Sequence, residues 1–138
     1  MIYETVEDLS KECEVADTVA KRWNCRHVKL GELAPLDRAL FRDDTLKCYL
    51  EIKCRNNAHD YYPDYMIDAS KMDAGMQIAA HDGVPFFLIV HFTDGVYWIK
   101  VEEGPFATRK TGGRTDRGDP NDIEVCCYVP MLLWRRLE

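Results

Sequence analysis

The run LKCYLEIKCR, residues 46–55, alternates with a period of two over ten residues and constrains the fold more than any other segment. Cys48, Leu50, Ile52 and Cys54 share one face of such a strand, while Tyr49, Glu51, Lys53 and Arg55 share the other. The first set calls for a core and the second for a cleft. Just upstream, LDRALF reads as a second strand, and Asp43, Asp44 and Thr45 supply the turn of a β-hairpin. With all three in the loop, Arg42 faces Leu46, and counting outward sets Asp37 directly opposite Glu51, on the same face.

Helical and strand patterns alternate along the rest of the chain. From about Val6 to Trp23, Leu9, Cys13, Ala16, Val19, Ala20 and Trp23 form the stripe of an amphipathic helix. Glu12 lies at the edge of that stripe and Glu14 on the opposite, solvated side. NNAHDYYPDY reads as a polar and aromatic connection, and MIDASKMDAGMQIAAHDG as a helix ended by Gly83. VPFFLIVHFTDGVYWIKV has the pattern of a second hairpin, turning at TDG, with a fully buried first strand. TRKTGGRTDRGDPND reads as a loop before a last strand, IEVCCYV. The expected order is helix, β-hairpin, helix, β-hairpin, loop, strand: an α/β fold with a mixed central sheet flanked by helices, in a single domain covering 1–138.

A net charge of −6 excludes a uniformly basic, nucleic-acid-coated surface. The cations nevertheless cluster at Lys53 and Arg55 and again at Arg109, Lys110, Arg114 and Arg117, so one basic cleft on an acidic domain is expected. Apolar runs are too short to span a bilayer, and the opening residues lack the pattern of a signal peptide, which points to a cytoplasmic protein with no membrane partner. The six cysteines lie inside periodic segments and read as reduced thiols. No Cys or His spacing suits zinc. Tyr61, Tyr62 and Tyr65 could stack on unpaired bases, although loop tyrosines more often cover the edge of a core.

Asp37 and Glu51 on one face form a carboxylate pair suited to a hard divalent cation. The Lys53 ammonium on the same face could orient a nucleophilic water or offset the charge of a phosphate under attack. PLD at 35–37 followed by EIK at 51–53 resembles the core motif of the PD-(D/E)xK nuclease superfamily, the restriction-endonuclease-like fold that includes Holliday-junction resolvases. The wording PLDRAL…LEIKCRNN, the helix end KRWNC and the tail GGRTDRGDPNDIE resemble small prophage-encoded members.

The resemblance implies a magnesium- or manganese-dependent endonuclease hydrolysing DNA phosphodiester bonds, on branched or phage replication DNA, in a bacterial host. Asp37 and Glu51 would be metal ligands, Lys53 the catalytic lysine, and Glu12 the additional acid from the first helix. Lys71 and Gln77 are looser matches to a second-helix residue near the cleft. Arg55, Lys71, Gln77, Arg109, Lys110, Arg114 and Arg117 would bind DNA, and a homodimer is the expected assembly. The alternative is a DNA-binding or assembly protein that keeps the fold without the chemistry; E-x-K also arises as an ordinary ion pair on a solvated strand.

Overall fold

The fold was analysed in a computed structural model that describes residues 6–31, 34, 36–102, 107–113 and 123–138. Helix α1 spans Val6–Arg22 and helix α2 Ala69–Asp82. The strands are β1 (Arg26–Lys29), β2 (Arg38–Arg42), β3 (Thr45–Cys54), β4 (Asp64–Asp68), β5 (Phe86–Phe92), β6 (Gly95–Val101), β7 (Thr108–Gly113), β8 (Ile123–Pro130) and β9 (Arg135–Arg136). Six of them form a mixed sheet in the order β1-β2-β3-β5-β6-β9, in which β3 and β5 run parallel. Strand β5 is largely buried between β3 and β6, with cores on both faces of the sheet, but not fully as expected: Phe87 is half-buried and His91 exposed.

Helix α1 covers one face: Val15, Ala16, Val19 and Ala20 pack with Leu40, Cys48, Leu50, Ile52 and Ile89. Helix α2 lies on the other, where Met72 and Ala79 join Leu36, Phe86, Leu88 and Val90. Asp68 starts α2 by accepting the Ser70 amide at 2.9 Å, and Gly83 ends it in the left-handed conformation at φ 69°. The parallel step from β3 to β5 therefore carries α2 across the sheet and brings its first turn toward β3.

The mixed central sheet flanked by helices is the expected architecture, but the strand content is larger. Strands β4, β8 and β7 make a second sheet, and α2 contacts both sheets. Residues 66–68, expected at the start of the helix, continue β4; the helix begins only after its Asp68 cap. Residues 108–113, expected as a mobile loop, are strand β7, paired with β8 from Thr108–Tyr128 to Gly113–Ile123. Two glycines in that stretch suggested a loop, whereas pairing with β8 holds the backbone extended. The rest of the expected loop, including Arg114 and Arg117, lies outside the described residues. All six cysteines are free thiols, and no described helix is long and apolar enough to cross a membrane.

Candidate active site

The β2–β3 hairpin reaches the expected register by a different route. Its turn holds only Asp43 and Asp44, both left-handed, so Arg42 pairs with Thr45 rather than Leu46. A bulge then shifts the register between Leu40–Cys48 and Phe41–Leu46, leaving Lys47 as the extra residue. The shorter turn and the bulge cancel, and the ladder ends with Arg38 opposite Leu50. One step further, the Asp37 amide donates to the Leu50 carbonyl at 3.1 Å. The Ile52 amide donates to Asp37 Oδ2 at 2.8 Å. Asp37 is thus fixed across from Glu51 by bonds to main-chain groups of both residues flanking it.

Glu51 is buried, with 2 % of its surface exposed. Its Oε1 receives Lys71 Nζ at 2.9 Å, from the first turn of α2, and Lys53 Nζ at 3.5 Å, from its own strand. Burial pushes the Glu51 carboxyl above its ordinary pKa, and the nearby Asp37 charge pushes it further; Lys71 and Lys53 oppose both effects. Burial works against the Lys71 charge, but the bond to Glu51 and the charges of Glu51 and Asp37 hold that ammonium above its usual value. Beyond Lys71, Tyr65 is buried with its hydroxyl shielded from solvent near Arg55. Burial and the Glu51 charge lift its pKa to about 12 against the pull of Arg55 and Lys71.

The structure therefore brings Asp37, Glu51, Lys53 and Lys71 together on the α2 face of β3. Lys71, known from the sequence only as a loose second-helix match and a DNA contact, is the shortest partner of the buried glutamate. Its signal was its position in the first turn of a helix that crosses over the strand carrying Glu51. Arg55 follows the strand and places its guanidinium over the Tyr65 ring at 5.3 Å.

The other candidates lie elsewhere. Glu12 has the expected phase, with Glu14 exposed, but it pairs with Lys29 at 3.2 Å and Arg38 at 3.3 Å. Because Arg38 faces Leu50, that cluster sits on the α1 face, opposite Glu51. Gln77 is exposed on α2 beside Asp73, Met76 and His81. Arg109 forks onto Asp73 at 2.7 and 3.0 Å, a bond that holds the Asp73 carboxyl below its usual range. Lys110 lies 5.4 Å from the Tyr128 ring centroid.

Two clusters not foreseen from the sequence gather possible metal ligands: Cys13, Asp17 and His27, and His59, Asp60 and Asp94. Hydrogen bonding accounts for both histidines. His27 meets Asp17 at 2.5 Å and Arg38 at 3.0 Å, and His59 meets Asp94 at 2.5 Å.

Among solved structures, the Holliday junction resolvase Hjc from Archaeoglobus fulgidus superposes with a TM-score of 0.61 at 11% identity, covering 92% of each chain. A nuclease from a fusselovirus superposes with a TM-score of 0.54 at 14% identity, covering 99% of this chain and 90% of its own. These likenesses establish the fold. No curated protein matches the chain in sequence. The model of the family described as "Phage putative PDDEXK endonuclease" matches residues 1–137, and with nearly the whole length matched, the chain belongs to the phage PDDEXK endonuclease family.

Proposed function

We propose that this chain is a single-domain DNA endonuclease that uses magnesium or manganese, holding the cation between Asp37 and Glu51. The observation that carries the reading is the Asp37–Glu51–Lys53 constellation itself: two carboxylates share a face, and their repulsion helps to raise the pKa of a buried glutamate that two lysines only partly neutralise. The donor set fits a hard divalent ion, since both ligands are carboxylate oxygens. A bound cation would polarise the phosphoryl group and acidify water.

The chain's own groups do the remaining work. The Ile52 amide holds Oδ2 of Asp37 and so fixes the orientation of its carboxylate. Lys53, on the strand that carries Glu51 and at a longer distance from it than Lys71, is the cation assigned to touch a scissile phosphate, orient the attacking water and offset the charge of the pentavalent transition state. Lys71 keeps Glu51 ionised and oriented, and Glu12 acts at one remove by fixing Arg38 beside Asp37. Arg55, Lys110, Arg114 and Arg117 supply phosphate contacts, with Gln77 and Arg109 at the margin. The Holliday junction resolvase among the structural neighbours favours branched DNA as the substrate, and the family description favours DNA of a phage. Cutting two strands together would require a homodimer.

The test is cleavage of supercoiled plasmid and of a four-way junction in magnesium, manganese, calcium and chelator. Cleavage should appear with magnesium and manganese and vanish with chelator, and Lys53→Ala should abolish it. DNA binding without cleavage in any metal would replace this reading with that of a non-catalytic member of the fold.

A further inference from the structure

Beside the carboxylate site lies a cavity of about 440 Å³ whose walls include Arg55, Asn57, Tyr62, Tyr65, Phe92 and Met131. Its volume falls in the range of small-molecule sites, roughly 300–1,000 Å³. Tyr65 is the wall shared with the carboxylate site: its ring borders the cavity, and its hydroxyl feels the charges of Glu51 and Lys71. Arg55 stands at the same boundary, two residues past Lys53 on the chain. Its side chain is exposed, and its guanidinium lies over the Tyr65 ring.

We propose that this cavity receives one unpaired nucleobase of the DNA substrate, next to the phosphate presented to Lys53. Aromatic faces suit the π-surface of any base, which accounts for a cavity walled by rings rather than by a polar hydrogen-bonding frame. Tyr62 is 60 % exposed at the rim, an arrangement that leaves a ring face open to stacking. Asn57, His59 and Asp64 supply the few polar groups that such a site needs to fix orientation. The positive charge is at the Arg55 boundary, where the backbone of an extruded nucleotide would pass.

The inference rests on the nuclease reading for its ligand, since DNA is what would bring a base to this place. It selects, within DNA, substrates with a nucleotide already out of the stack, as at a bulge, a junction or a fork, because a paired base would first have to be unstacked.

The test compares two duplexes of one sequence, fully paired or carrying a single bulged 2-aminopurine, bound in calcium and followed by anisotropy and by 2-aminopurine emission. Wild-type protein should bind the bulged duplex roughly tenfold more tightly and alter the emission of the bulged base. Tyr62→Ala, a rim change that leaves the core intact, should bring the two affinities within about twofold, and Tyr62→Phe should restore the preference. Equal wild-type affinities, or a preference unchanged in Tyr62→Ala, would overturn the proposal. So would a dimer that closes the cavity and dissociates in Tyr62→Ala. Cleavage of both duplexes in magnesium is read in parallel: base preference with neither duplex cut sinks the nuclease reading and keeps the cavity, whereas cleavage without preference does the reverse.

Discussion

Lys71 Nζ stands 2.9 Å from Glu51 Oε1, nearer than Lys53 Nζ at 3.5 Å, so two ammonium groups from different elements converge on one buried carboxylate oxygen. Their removal should be distinguishable. Lys53→Ala takes away the group proposed to meet the phosphate, and cleavage should fall by about 10²-fold or more at every pH while DNA binding persists. Lys71→Ala removes a charge that lowers the Glu51 pKa, so that pKa should climb further and the acidic limb of the rate–pH profile should move to higher pH. At alkaline pH, where Glu51 is ionised in either protein, Lys71→Ala should recover most of its rate. Single-turnover cleavage from pH 5 to 9 checks both.

The raised Glu51 pKa also fixes the sign of the response to cations. In the folded chain without metal, Glu51 holds its proton to a higher pH than in the unfolded chain. Its contribution to stability is then full below the unfolded value and is lost as pH rises through the folded one. A divalent cation needs the ionised form and competes with that proton. Magnesium should therefore raise the melting temperature more at pH 8 than at pH 5, and binding should release a proton, seen as a dependence of the calorimetric heat on buffer ionisation. Asp37→Ala should lose both the magnesium-induced shift and cleavage. Calcium, with looser coordination geometry, should give the thermal shift and little cleavage.

The face proposed for catalysis was legible because β3 is long and its sequence alternates strictly: Glu51 and Lys53 fall on one side whatever the rest of the fold does. Asp37 was placed opposite Glu51 through an assumed three-residue loop, and the molecule reaches the same pairing with a two-residue turn and a bulge at Lys47. Strand β4 escaped notice because three apolar or acidic residues, Met66, Ile67 and Asp68, continue the helical spacing of α2 backwards; only the Asp68 cap marks the boundary. Strand β7 was hidden by Gly112 and Gly113. Neither the Lys71 contact nor the α1-side placement of Glu12 could be read locally, since each depends on how a helix crosses the sheet.

Arg109 is the cation whose expected role changes most. Its guanidinium is engaged by both oxygens of Asp73, although the pair is nearly half exposed and contributes no more than about 1 kcal/mol to stability. Arg109→Ala alone should hardly alter the salt dependence of DNA binding. Replacing Lys110, Arg114 and Arg117 together should reduce the slope of log K against log salt by about 3. Asp73→Asn, which removes the competing carboxylate, should steepen the wild-type slope by about 1. A salt titration across the four proteins separates these effects.

Gly75 lies one helical turn after Lys71, at the closest approach of α2 to the sheet. A Cβ there would meet Phe86 Cε2 at 2.5 Å and Leu36 Cδ2 at 2.8 Å. Both neighbours are buried, so neither can swing away cheaply, and α2 must lift. Helix propensity favours alanine by about 1 kcal/mol, but overpacking costs roughly 1–3 kcal/mol, so Gly75→Ala should be neutral to destabilising by up to about 2 kcal/mol. Its catalytic effect should be larger than that stability change suggests. A shift of α2 carries Lys71 away from Glu51, so the acidic limb of the rate–pH profile should move upward as in Lys71→Ala. Urea denaturation and the pH profile of the same variant test the two halves; a loss of stability with an unmoved profile would show that Lys71 follows Glu51 independently of its helix.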